Sequence, residues 1–457
     1  VPSDRALVAR LREVVGDHVV TDPEMIAPFT RDWTNRFRGH TVAVVRPGST
    51  EEVAGVVGAC RELGTTLVPQ GGNTGLVGGG VPLHGEVVLS LGRLRSVGPV
   101  DAAAGQVTAG AGVTIGTVQQ AAGAAGWRYA VDLASRGSAT VGGTVATNAG
   151  GTHVLRHGDT RAQLLGMKAV LGTGAVVSHL GGLVKDNTGY HLPGLVCGSE
   201  GTLAVVTAAR LRLVPDLPWR TVAVLAFASV ADALEGSAVL RRSLPALEAV
   251  ELFLAPGLEL VCTVTGMSPP FPDPHPAYLL VEAADRTDPT EALAQAVGAI
   301  GRLAGSVVAT DPSRRVELWR YREAHTEAVN TLGPPHKLDV TLPFGALAEF
   351  VDRVPAEVRA VDPAAQTWLF GHAGDGNVHV NVTGPSPTDD GVDEAVLALV
   401  AGYGGSISAE HGIGAAKRRW LHLARSDSEI AAFRSVKRAL DPDGILNPNV
   451  LLPPSGP

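Results

Sequence analysis

The sequence predicts an α+β protein of two or three domains, on three observations. The chain has 457 residues, more than one ordinary core holds. Residues 165–214 are strand-rich, whereas strands and helices mix between 219 and 400, as in an antiparallel α+β domain. Between these regions Pro215-Asp216-Leu217-Pro218 punctuates the chain and marks a boundary. The expected domains are therefore 1–216, 217–400 and a C-terminal segment, 401–457, of short turns and a helix.

Residues 3–20 read as a short helix with Leu7, Val8, Leu11, Val14 and Val15 on one face. Thr41–Arg46 reads as a strand. Ser49-Thr50-Glu51-Glu52 opens a helix with acids in its first turn, and Val53, Val56, Val57 and Cys60 continue it. Strands at Thr66–Val68 and Val87–Ser90 follow. Between them, six of the eleven residues from Gln70 to Gly80 are glycine, so the backbone can take positive φ and aim its N–H groups at one anion, usually a diphosphate. This β-α-β opening resembles a Rossmann unit, but its glycines follow the second strand. A second glycine loop, Gly137–Gly151, suggests one extended ligand cradled from two sides. Gly110-Ala111-Gly112-Val113-Thr114-Ile115-Gly116 has the spacing GxGxxxG and no acidic residue at the distance a dinucleotide turn requires, so it is not read as one. Further strands are expected at Leu165–Leu171, Gly174–Ser178 and Thr202–Leu213. Beyond the boundary come strand Thr221–Phe227, helix 229–243, strand Tyr278–Ala283, helix 288–304 and strand Gly305–Ala309.

Apolar residues at 45% and charged residues at 18% describe a well-packed soluble protein. A formal charge of −8 argues against a nucleic-acid groove. Lys417-Arg418-Arg419 reads as a solvated helix face or an anion contact. Cys60, Cys197 and Cys262 form no CxxC pair and read as buried free thiols in a reducing compartment. No apolar run approaches the roughly 18 residues needed to span a membrane, and Val1-Pro2-Ser3-Asp4-Arg5 shows no signal pattern. A trimmed N-terminus and a cytoplasmic location are the expectations. No Walker A sequence, HExxH or EF-hand loop occurs.

Gly371-His372-Ala373-Gly374-Asp375-Gly376-Asn377-Val378-His379 places two histidines about a glycine turn, and Ser408-Ala409-Glu410-His411-Gly412-Ile413-Gly414 adds a Glu–His pair. Together they offer His372, His379 and Glu410 as an N₂O ligand set with open positions. That set suits a Lewis-acidic Zn²⁺ and equally a non-haem Fe(II) facial triad. His411 stays beside the ligands, free to act as a base.

On PQGGNTGLVGG, GGTVATNAGG, KDNTGY, GSEGTL, GHAGDGNVHVNV, SAEHGIG and LDPDGILNP, in that order, the chain resembles the FAD-linked D-2-hydroxyacid dehydrogenases. These belong to the vanillyl-alcohol-oxidase-like (PCMH-type) flavoproteins, and the D-2-hydroxyglutarate and D-lactate dehydrogenases are most alike. The resemblance runs from about residue 30 to the end. It implies a two-subdomain FAD domain, an antiparallel-sheet α+β substrate domain and a C-terminal helical segment returning to the flavin. In the first loop it implies FAD contacts at Pro69, Gln70, Gly71, Gly72, Asn73, Thr74, Gly75, Gly78 and Gly79. Further contacts fall at Gly137, Ser138, Gly142, Gly143, Thr147, Asn148, Gly150, Gly151, Lys185, Gly201 and Asn447. The histidine that tethers flavin in some members has no counterpart in Pro69–Gly80, so the FAD is expected to be non-covalent. The resemblance makes His372, His379 and Glu410 ligands of a divalent metal, Zn²⁺ expected, and His411 the general base. It places Arg322, Thr326, Lys337 and Asn381 at the substrate. Where the family reads Lys-Tyr-Asp, this chain has Lys337-Leu338-Asp339, which leaves the substrate's distal half open.

The implied reaction is oxidation of a D-2-hydroxy acid to the 2-oxo acid by hydride transfer to flavin. Two cations, Arg322 and Lys337, favour a dicarboxylate substrate. The implied partners are the hydroxy acid, an electron acceptor (a quinone, an electron-transfer flavoprotein, a cytochrome or O₂) and a second copy in a homodimer, with no nucleic acid. Alternatives are an ether-lipid-synthase-like flavoenzyme on the same scaffold, which needs a lipid tunnel and phosphate site, and a flavin-carrying non-catalytic subunit, against which the His/His/Glu/His set speaks. A flavin-free oxygenase is contradicted by the two glycine loops.

Overall fold

A computed structural model describes residues 3–454. Their contacts form two compact units. The first takes in the described residues up to Gly151, His157–Asp216 and those from Glu410 onward; the second comprises Thr152–Arg156 and Leu217–Ala409.

The first unit holds two four-stranded sheets. One runs Val19–Val20, Val44–Val45, Val87–Ser90, Leu67–Gln70, the last three strands parallel. Ser49 caps the helix Thr50–Glu62, its side chain accepting from Glu52 N, and Val53, Val56, Val57 and Cys60 are buried. A Rossmann unit pairs the strands on either side of its helix; here Val87–Ser90 lies between them. The expected strand Thr41–Arg46 shortens to Val44–Val45, and the first helix ends at Val15 because Gly16 takes φ +61°.

The second sheet, Gln106–Gly110, Ala204–Arg212, Leu164–Leu171 and Val176–His179, is antiparallel throughout. Helices Ile115–Ala124 and Val141–Thr147 share its core, with Ile115, Val118, Val141 and Val145 buried beside Val107, Ala169 and Ala209. The helix Val141–Thr147 lies inside the expected second glycine loop. Thr140 caps it and burial of one face overrides the poor helix propensity of its glycines. Gly110 and Gly112 serve close packing: a Cβ on either would come 2.3 Å from the carbonyl oxygen of Leu94 or Leu91.

The second unit is built on a seven-stranded antiparallel sheet. Its order is Gly305–Ala309, Trp219–Phe227, Ala277–Asp285, Leu247–Leu254, Gln366–His372, Asn377–Thr383, His336–Thr341. The sequence reading missed the strand Leu247–Leu254 and the helix Ala255–Thr265. The strand is buried on both faces apart from its last residue, so it lacks alternation, and the helix has no side-chain N-cap. The expected helix 288–304 is shorter, Thr290–Gly298. No helix among the described residues is long and apolar enough to cross a membrane. The cysteines are unpaired, but Cys262 is only half-buried.

Candidate active site

In the first unit the two glycine loops meet. A Cβ on Gly71 would lie 2.4 Å from Thr140 Oγ1, and one on Gly72 would lie 2.0 Å from Ser138 O. Gly72 lets its backbone approach that of Ser138, and Gly71 leaves room for the Thr140 hydroxyl. On the other side the loops are open: a Cβ on Gly75 or Gly137 would meet nothing within 4 Å. Among the described residues, the N–H groups of Gly71–Gly75 donate to no acceptor, which leaves a run of donors for an anion. Gln70 fixes the loop's base, its Nε2 donating to Phe29 O (3.0 Å) and Gly80 O (2.7 Å). Asn73, at φ +52°, donates from its amide to Arg31 O. Pro69 packs on Gly201, whose Cβ would come 3.2 Å from Pro69 Cγ.

The second loop is equally constrained. Gly142 packs on Ala111, Thr140 Oγ1 accepts from Gly143 N, and Thr147 Oγ1 donates to Gly143 O. Asn148, left-handed at φ +52°, donates to Asp159. Gly150 is buried, and Gly151 N donates to Glu410 Oε2 at 3.0 Å. Glu200 ties in the C-terminal return: its carboxylate accepts from Ile413 N and Gly414 N, both at 2.7 Å, so the backbone just after His411 is clamped. Burial pushes the Glu200 carboxyl above its usual range, partly offset by the Ile413 and Gly414 N–H groups and then by Lys417. Lys417 is itself buried, so of the two readings of that basic run, solvated face or anion contact, it takes the second, beside the Glu200 carboxylate. Asn447 completes the cradle, donating to Gly79 O (3.0 Å) and Glu200 O (2.7 Å). Thr74 is half-buried and Gly78 takes φ +72° against the Phe37 ring. Lys185 stands on an exposed loop and hydrogen-bonds to neither glycine loop among the described residues. His411 Nε2 lies 4.0 Å from Glu410 Oε1.

In the second unit, strand register gathers polar side chains on one sheet face. The cross-strand partners are Glu251 with His372, His372 with Asn377, Phe370 with His379, His379 with Asp339, and Asn381 with Lys337. Directly opposed residues and alternate residues share a face, so all eight point the same way. His372 Nδ1 lies 2.6 Å from Glu251 Oε1. That contact assigns the proton to Nδ1 and leaves Nε2 as the ring's lone-pair donor, as a metal-binding imidazole requires. His379 Nδ1 lies 3.5 Å from Asp339 Oδ1, and the two histidine rings stand 5.4 Å apart at 78°. Asn377 Nδ2 donates to Asp339 Oδ1 at 2.7 Å.

The proposed substrate contacts border this row. Asn381 Nδ2 is buried without an acceptor among the described residues, an amide that a ligand oxygen would satisfy. Burial pushes the Lys337 ammonium down to about 8. Arg322 is buried on the helix Pro312–Glu323, whereas Arg320 is surface charge. Its Nε lies 2.9 Å from Glu251 Oε2, and its Cζ lies 4.7 Å from the Phe370 ring centre. Thr326 follows, exposed on the helix His325–Asn330. His325 is buried and held down to about 3, so it is a neutral packing residue.

The structure thus brings His372 and His379 together in the second unit, and Glu410 and His411 together in the first. Sequence reasoning gave no role to Glu200, Glu251, Asp339 or Asn377. For Glu251 a signal existed: a lone acid within the apolar run Ala249-Val250-Glu251-Leu252-Phe253 has to be paired if buried.

Residues 41–179 match the family described as FAD binding domain, and residues 217–451 match FAD linked oxidases, C-terminal domain. A D-2-hydroxyglutarate dehydrogenase of Xanthomonas citri pv. viticola is 37% identical over 98% of this chain and 97% of its own length. The mitochondrial D-2-hydroxyglutarate dehydrogenase of Bos taurus is 36% identical over 98% of this chain and 83% of its own. A putative mitochondrial D-lactate dehydrogenase of Schizosaccharomyces pombe is 34% identical over 94% and 85%. Among solved structures, p-cresol methylhydroxylase has a TM-score of 0.78 at 16% identity, covering 98% of this chain and 96% of that one. Alkyldihydroxyacetonephosphate synthase has 0.75 at 16%, covering 98% and 85%; both likenesses concern the fold. The matched families and the cradle together make this an FAD-binding oxidoreductase, on a fold shared with p-cresol methylhydroxylase. The chain belongs, more narrowly, to the family of FAD-linked D-2-hydroxyacid dehydrogenases.

Proposed function

We propose that this chain oxidises a dicarboxylate D-2-hydroxy acid of the D-2-hydroxyglutarate kind to its 2-oxo acid, with dissociable FAD and a bound Zn²⁺. The observation that carries the reading is the single sheet face on which His372, His379, Asn381 and Lys337 stand in register beside Arg322. Oxidation requires loss of a hydroxyl proton and a Cα hydride. FAD, held by Pro69–Gly79, Gly137–Gly151, Gly201 and Asn447, would supply the hydride acceptor. A divalent ion, held by His372, His379 and Glu410, would supply Lewis acidity at the hydroxyl. The protein's own work is to bind, orient and deprotonate. Arg322 offers a planar fork to one carboxylate and Lys337 a point charge to a second. Asn381 donates to a substrate oxygen, Thr326 adds a hydroxyl, and His411 takes the hydroxyl proton.

Two expected outcomes follow. Acid precipitation releases all flavin into the supernatant, because Pro69–Gly80 offers no tethering histidine; yellow colour left in the pellet contradicts dissociable FAD. Arg322→Lys keeps the charge but loses the fork. Losing a charge-assisted hydrogen bond costs about 1.5–3 kcal/mol, so KM rises roughly tenfold to a hundredfold with kcat little changed. An unchanged KM in steady-state assays removes Arg322 from the substrate site. Arg322→Ala is the harsher variant, since it also leaves Glu251 buried without its cation.

A further inference from the structure

Glu251 holds two functional groups at once. It stands on the strand Leu247–Leu254 with 1% of its surface exposed. One carboxylate oxygen, Oε1, takes the Nδ1–H of His372 at 2.6 Å; the other, Oε2, faces Arg322 Nε at 2.9 Å. The first contact is a hydrogen bond. The second has ion-pair distance without hydrogen-bond alignment, so the guanidinium is attracted but not locked. A buried carboxylate is costly unless it is paired, and here one oxygen is hydrogen-bonded and the other ion-paired by residues already placed at the site.

We propose that Glu251 is a positioning residue shared by the metal ligand and the substrate anchor. It fixes the tautomer and ring angle of His372, and by the same carboxylate it sets where the guanidinium of Arg322 stands relative to that ring. The span between the bound hydroxyl and the anchored carboxylate is thereby tied to one side chain. The Phe370 ring beneath the Arg322 guanidinium completes the seat. This inference rests on the proposed roles of His372 and Arg322.

The test uses Glu251→Gln in the flavin-loaded protein, stripped of metal by a chelator, with Glu251→Asp as a second variant that keeps the charge. Glutamine has one acceptor oxygen where glutamate has two, so it cannot serve both partners. Titration calorimetry with ZnCl₂ should show affinity falling by about 10–100-fold, the usual cost of losing a ligand's outer partner. At saturating Zn²⁺, KM for D-2-hydroxyglutarate should rise about tenfold or more with kcat nearly kept, which a general loss of packing would not produce. Aspartate, one methylene shorter, should restore one of the two properties but not both. If Zn²⁺ affinity and KM are both unchanged in Glu251→Gln, or only one changes, the shared role is overturned. If wild-type protein itself binds no Zn²⁺, the underlying metal assignment falls with it, so the two failures are told apart by the wild-type titration.

Discussion

His411→Ala lowers kcat by about 10²–10⁴-fold, the range expected when a positioned general base is removed, and changes KM little. The residue's surroundings suit that role. Its successor Gly412 takes φ +85°, and the next two amides are gripped by the buried Glu200 carboxylate, so the loop carrying the imidazole is set by the first unit's core. A base must be held in place before its basicity matters. Steady-state kinetics with a D-2-hydroxy acid, on protein whose flavin content matches wild type, makes the comparison clean. A variant that keeps wild-type kcat while KM alone rises removes His411 from proton transfer.

Metal removal has the other large effect. Chelation abolishes turnover while FAD stays bound, because the flavin cradle and the histidine row use different residues. Zn²⁺ added back restores wild-type activity but not that of His379→Ala, which loses one of two imidazoles from a three-ligand set. Metal content measured by atomic absorption falls in parallel. Full activity in metal-free His379→Ala contradicts the assignment.

Much of this was legible in the sequence because glycine runs and histidine motifs announce themselves. The two glycine loops were expected to serve one ligand, and Gly71 and Gly72 do back directly onto Thr140 and Ser138. What stayed hidden depends on register and burial. The strand Leu247–Leu254 has no alternation, so neither it nor Glu251 stood out, yet it carries the partner of both His372 and Arg322. Asp339 was visible only as a surviving charge; pairing of His336–Thr341 with Asn377–Thr383 sets it opposite His379. For Lys417 the sequence leaves a solvated face and an anion contact open, because nothing local reveals that Glu200, more than two hundred residues earlier, is the anion it acts on. The helix Val141–Thr147 reads as loop in the sequence because its glycines are poor helix formers and only tertiary packing makes it fold.

The most direct test is anaerobic mixing of the yellow, FAD-loaded protein with each enantiomer of 2-hydroxyglutarate in a stopped-flow spectrophotometer. Hydride transfer from a carbon whose carboxylate, hydroxyl and hydrogen are all assigned fixed directions can serve one hand only. The D enantiomer should bleach the flavin band, leaving the L enantiomer's trace flat on the same timescale. No bleaching with the D acid, or equal rates with both, contradicts the proposed reaction.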